Sequence, residues 1–223
     1  GMAQDHASEQ LASGSRITKA ADDAATLAIS EKMRAGIRSI RQGARNANDA
    51  IGIVQTAEGA LQEVSNNLIR IRELSIQASS GTYGDSERAF LQKEGDQLRS
   101  NVKSILDRTV YNGISVFKEE TPFAEVQVGI HNDKRADRVE FDLRTSANEL
   151  SSLALNSISL NSQTSAQGSL EAIDKSLSIV AQVRATLGAN QNHLQASVNN
   201  ALIAEENWSA SNSRMKDTDV AKV

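Results

Sequence analysis

The chain has no cysteine, which excludes disulfides and thiolate metal sites. Its one proline, Pro122, leaves long stretches on either side where nothing breaks a helix. Aromatics make up only 3% of the residues although 39% are hydrophobic, so the core is built from Ala, Ile, Leu and Val. Such a core suits helix seams better than a broad pocket. Neither sign of charge dominates: 24 basic residues against 28 acidic ones give a formal net charge of −4, spread along the chain. That balance supplies no dedicated surface for nucleic acid or an anionic membrane. No run of about 18 apolar residues exists to span a bilayer, and no charged n-region precedes an apolar h-region. An extracellular address remains open by a route that uses no cleaved signal.

What the chain does have is an apolar stripe. Met33, Ile37, Ile40, Ala44, Ala47, Ile51, Val54, Ala57, Leu61, Val64, Leu68, Ile71, Leu74 and Ala78 recur at alternating steps of three and four. A period near 3.5 keeps them on one helical face, and predicts a helix from about Ala24 to Ser80, roughly 85 Å long at 1.5 Å per residue. Ser79 to Gly84 supplies turn residues, and Asp85 is placed to cap a second helix with Leu91, Gly95, Leu98, Val102 and Ile105 on its seam. Tyr111-Asn112-Gly113 ends that pattern. The period then changes to two: Val126, Val128 and Ile130, then Val139, Phe141 and Leu143, read as two half-buried strands joined by the loop 131–137. Residues 145–168, rich in Ser and Asn, read as a crossover. A last helix from about Ser169 to Arg214 carries Ile173, Leu177, Val180, Leu187, Leu194, Val198, Ala201 and Trp208. The expected fold is mainly α: an elongated antiparallel bundle of three long helices with coiled-coil-like seams plus a β-hairpin.

Groups for chemistry are sparse. His6, His131 and His193 fall in a tail, a hairpin loop and a helix, with no partner at metal-ligand spacing. No catalytic, metal or cofactor site is expected. The adjacent Asp22 and Asp23 point in different directions on a helix, which argues against an acid–base pair and for a helix start favoured by the macrodipole. Gly36, Gly43, Gly52 and Gly59 lie inside the first helix, where each costs about 1 kcal/mol relative to Ala. They imply close approach either of another helix of the same chain or of a neighbouring subunit. Arg70, Arg72 and Glu73 project away from the seam and read as a solvated face.

Several blocks together resemble bacterial flagellin. Leu11-Ala-Ser-Gly-Ser-Arg-Ile17, Ala21-Asp-Asp-Ala-Ala25, Leu27 to Met33, Arg45-Asn-Ala-Asn48, Gln55 to Leu61, Ile71 to Gln77 and Tyr111-Asn-Gly113 look like that family's amino-terminal half. Arg184-Ala-Thr-Leu-Gly-Ala189, Gln191-Asn192, Asn199-Asn200, Glu206-Asn207, Ser213-Arg214 and Asp217-Thr-Asp-Val-Ala221 look like its carboxy-terminal half. Asn190, His193 and Trp208 stand where the family usually has Val, Arg and Leu, and Ile69 where it usually has Gln.

The resemblance implies a rod-domain fragment of a compact flagellin without large outer domains. On it, residues 1–20 are a start and spoke segment, 21–117 the amino-terminal rod helices, 118–145 the hairpin, 146–168 the crossover and 169–223 the last rod helix and spoke. The implied function is a structural subunit of the flagellar filament, not an enzyme, secreted to the bacterial flagellum. Its implied partners are copies of itself, the flagellar export apparatus and chaperones, and a vertebrate Toll-like receptor, with no nucleic acid and no membrane insertion. Arg70, Leu74 and Glu94 match the family's receptor-contact pattern and are expected to form one patch. Arg16, Asp22, Asp23, Arg214, Asp217 and Asp219 are the implied subunit-contact residues. The alternatives are a hook-filament junction protein of the same family, or a helical-bundle sensor module.

Overall fold

The structure is a computed structural model and describes residues 23–118, 125–140 and 143–216. It is mainly helical, with two small antiparallel hairpins. In chain order the described elements are α1 (Ala24–Ala78), α2 (Asp85–Arg108), β1 (Val110–Tyr111), β2 (Ile114–Ser115), β3 (Glu125–Gln127), β4 (Arg138–Glu140), α3 (Leu143–Ser151), a 3-10 turn at Leu155–Ser157, and α4 (Gln163–Lys216). The fold forms two compact units. One gathers residues 23–48, 127–138 and 195–216, the other the described residues of 49–126 and 139–194.

In the second unit the predicted stripe is the core. Val54, Ala57, Leu61, Val64, Leu68, Ile71 and Ala78 are fully buried, as are Ile173 and Val183 of α4. Two ion pairs fix the direction of α4 against α1: Arg72 meets Asp174 at 2.6 Å and Glu58 meets Arg184 at 3.7 Å, so one helix rises as the other falls. The turn after α1 is closed by a residue that pattern reading passed over. Arg88 is buried, and its guanidinium donates to the carbonyl of Ala78 (3.0 Å), which the helix end leaves without a helical partner, and to that of Ser80 (3.1 Å), which also accepts from the Tyr83 amide at 3.5 Å. Arg88 also meets Asp85 at 3.3 Å. Asp85 is therefore not the cap expected from sequence. Gly84 holds the N-cap position in an extended conformation, and Asp85 is the first helical residue, where its charge suits the helix N-terminus.

Tyr111-Asn112-Gly113 does end α2, but it also makes a hairpin. Val110 pairs with Ser115 and Tyr111 with Ile114, leaving Asn112 (φ 49°) and Gly113 (φ 79°) as a two-residue turn in the left-handed region. Asn-Gly is the preferred pair for such a turn, so this element was readable. Of the expected strand 139–143, Val139 is in β4 and Phe141 lies outside the described residues. Leu143, Ser146, Ala147 and Leu150 are all buried at helical spacing, and that face claims Leu143 for α3.

The expected crossover therefore contains a fourth helix. It ends early too, because Ser162 caps α4: its hydroxyl accepts from the Ser165 amide at 3.1 Å, which puts the helix start at Gln163, six residues before Ser169. Ser169 instead is a buried anchor, bonded to Ser159 and Ser165. Leu160 fills the space over Gly95 and clusters with Leu74, Ala78 and Ala166, with Leu91 and Leu98 against them.

In the first unit α1 and α4 again run antiparallel. Ser30 donates to Asn212 at 2.8 Å, and Arg41 meets Glu205 at 2.6 Å. The hairpin tip is built by Asp133 and Asp137. Asp133 Oδ1 accepts from the amides of Arg135 and Ala136, while the Asp137 carbonyl accepts from Val128 and Gly129. Val128 and Ile130 thus lie past the end of β3, in the turn, and not in a longer strand as the alternation suggested.

Candidate subunit-contact surfaces

Three of the four α1 glycines have a partner within their own unit. A Cβ on Gly36 would stand 2.1 Å from Trp208 Cζ3, one on Gly43 2.2 Å from the Val128 carbonyl oxygen, and one on Gly52 3.0 Å from the Tyr111 hydroxyl. The first explains Trp208: the large ring lies over a residue without a side chain. Gly59 differs, with nothing within 4 Å of the added atom, and is exposed.

The structure brings Arg70 and Glu94 together. Arg70 meets Glu94 at 2.8 Å and Glu73 at 3.0 Å, with about half of the arginine side chain exposed. The guanidinium pKa is raised by its hydrogen bonds to Glu73 and Glu94. Leu74 is not on that surface: it is 1% exposed and belongs to the core cluster with Ala78. One α1 turn carries both faces, since Arg70 and Leu74 are four residues apart but Leu74 leans toward the seam. Farther round, Arg72 holds the Asp174 carboxyl below its usual range through a hydrogen bond. Ile69, Ile76 and Phe90 remain exposed in this unit.

Among the expected contact residues, Asp23 caps α1. Its carboxylate accepts from the Thr26 amide at 3.0 Å and the Thr26 hydroxyl at 2.5 Å. Arg214 is exposed in the last turn of α4. Arg16, Asp22, Asp217 and Asp219 lie outside the described residues, as does His6. His131 sits in the hairpin loop and His193 on α4. Among the described residues no three His, Cys, Asp or Glu side chains are grouped to hold a metal, and no helix is long and apolar enough to cross a membrane.

Long helices paired by buried aliphatic seams and flanking ion pairs, with charged and apolar side chains left on their outer faces, define a structural protein that works through its surfaces. Comparison with known proteins names the family. The model of the bacterial flagellin N-terminal helical region matches residues 3–121, and that of the C-terminal helical region matches 170–223. The chain is 41% identical over 216 residues to a flagellin of Halalkalibacterium halodurans, covering 97% of this chain and 78% of that protein. It is 36% identical over 222 residues to the flagellar filament core protein flaB2 of Brachyspira hyodysenteriae, covering 95% and 78%. The crystal structure of Bacillus cereus flagellin matches with a TM-score of 0.61 at 27% identity, over 70% of this chain and 88% of that one. A flagellar hook-associated protein of Vibrio parahaemolyticus shares the fold, with a TM-score of 0.71 at 16% identity over 88% and 100% of the two chains. The chain belongs to the bacterial flagellin family: it is a structural subunit of the flagellar filament, which polymerises with itself, and not an enzyme.

Proposed function

We propose that α1, α2 and α4 act as the rod of the filament wall, an elongated antiparallel bundle whose seams are coiled-coil-like and whose outer faces stack on neighbouring copies. The observation that carries this reading is the antiparallel pairing of α1 with α4 by ion pairs within each unit. Contacts between different faces of identical chains propagate an open helix in place of a closed ring. The chain reaches its extracellular place through the flagellar export apparatus and its chaperones; freedom from cysteine is compatible with passage of an unfolded chain. Residues 1–20 and the end of the chain are assigned as spokes, and Arg16, Asp22, Asp23, Arg214, Asp217 and Asp219 as contacts there.

Antibodies raised against the chain and applied to sheared filaments test the reading. Decoration along the whole length supports it. Decoration confined to the hook end favours the junction-protein alternative.

A second reading concerns the same rod: it is a ligand of a vertebrate Toll-like receptor. The exposed ion cluster of Arg70, Glu73 and Glu94, which bridges α1 and α2, favours it. Arg70 and Glu94 are the surface contacts in this reading, and Leu74 supports them from the core. Receptor-ectodomain binding by the folded chain is the test.

A further inference from the structure

In the first unit, Arg34, Arg38, Arg41 and Arg45 follow one another at steps of four, three and four, so they lie on one face of α1, and all four are exposed. Their charges are unequally compensated. Arg34 meets Glu31 at 2.6 Å and Arg41 meets Glu205 at 2.6 Å, but Arg45 bonds only the neutral amide of Gln42. Arg38 has no hydrogen-bond or ion-pair partner among the described residues. The outer face of α4 in the same unit has the opposite character. From Gln195 to Ser213 the charged residues are Glu205 and Glu206, with Arg214 and Lys216 following only in the last turn of the helix. Beside them Leu202 and Ile203 are 54% and 59% exposed, and a shallow groove runs along Leu202, Glu206, Ser209, Ala210 and Ser213.

We propose that the arginine stripe of α1 seats the outer face of α4 of a second copy of this chain, with Arg38 and Arg45 facing Glu206 and the groove at Leu202. This deepens the filament reading and rests on it. Three observations choose a second copy over other occupants. The complementary face is supplied by the chain itself, one basic and one acidic and apolar. Arg41 with Glu205 shows the same two helices already pairing through this chemistry inside one copy. The stripe is also flanked by Glu31 and Asp49, and two of its four arginines are neutralised by carboxylates, which weakens it as a polyanion site. The two faces differ, so the contact is heterologous and each copy retains one free face for the next.

Sedimentation of the chain across a concentration series tests this. Arg38→Glu and Glu206→Arg are each expected to weaken self-association about tenfold without altering the melting temperature. The chain carrying both reversals should recover most of it, because charge pairs across an interface are lost singly and restored together. Raising salt should weaken association of the unaltered chain. Self-association that ignores both reversals and salt overturns this surface while leaving the filament reading intact. A double variant no better than the single ones overturns it equally. Absence of any self-association counts against both. Heparin binding that is lost in Arg38→Glu while self-association is unchanged would assign the stripe to a polyanion instead.

Discussion

Two glycines in one helix should respond to alanine in opposite directions. Inside a helix, Gly→Ala stabilises by about 0.5–1 kcal/mol through helix propensity and a less flexible unfolded chain. Gly59 is in α1 with open space around an added Cβ, so Gly59→Ala should show that gain in full. Gly43 is in the same helix, but its added Cβ would stand 2.2 Å from the oxygen and 2.8 Å from the carbon of the Val128 carbonyl. Those atoms belong to the backbone and cannot rotate away. The hairpin tip would have to retreat by about 1 Å, and overpacking of that kind typically costs 1–3 kcal/mol. Net of the propensity gain, Gly43→Ala should lose up to about 2 kcal/mol, which separates the two variants by about 1–3 kcal/mol. Thermal unfolding resolves this, since 1 kcal/mol moves the melting temperature of a chain this size by roughly 2–4 °C. Gly43→Ala gaining as much stability as Gly59→Ala would refute the close docking of the hairpin on α1. Destabilisation by Gly59→Ala would show that its surroundings are not open. If Gly59→Ala stabilises the folded chain yet slows filament growth, the neighbouring-subunit reading of this glycine is the right one.

Leu187 is 1% exposed on α4, and Leu187→Ala should cost about 2–5 kcal/mol in chemical denaturation; a change below about 0.5 kcal/mol would place it off the seam. The Asp174 carboxyl is held below its usual range by Arg72, so its contribution to stability is complete above the ordinary aspartate range near pH 4 and is lost as pH falls through the depressed value. An NMR titration of Asp174 should show the depressed midpoint and its return to normal in Arg72→Gln. Arg70→Ala and Glu94→Ala should each weaken binding to the receptor ectodomain with little change in melting temperature, because both side chains are about half exposed; unaltered affinity in both would leave them as solvated charges.

The long helices were legible because a period near 3.5 sustained over 46 residues, from Met33 to Ala78, has no competing interpretation, and the described α1 begins where Ala24 was read. Short elements were harder. The apolar residues Val139, Phe141 and Leu143 fit a strand, yet Leu143 also begins the helical set 143, 146, 147 and 150, two of whose members, Ser146 and Ala147, are too small to announce a buried face. The Ser-rich stretch before α4 looked like loop, although Ser162 followed by a helix-compatible run is a cap signature. Arg88 was invisible in kind: charge predicts exposure, and only the turn geometry shows that its guanidinium answers the Ala78 carbonyl at the end of α1 and the Ser80 carbonyl in the turn. For the surfaces, Arg70 and Glu94 could be brought level by counting residues from the turn. The depth of Leu74 was legible too, since it belongs to the apolar stripe between Ile71 and Ala78; only its resemblance to a receptor-contact position drew it into the surface patch.

The most direct test of the central claim is a helical reconstruction of filaments from the bacterium that makes this chain. The account predicts a wall built of repeating copies in which α1 and α4 run antiparallel, with Arg41 opposite Glu205 and Arg72 opposite Asp174 in each copy. A wall made of another protein, with this chain found only at the hook end or not at all, would contradict it.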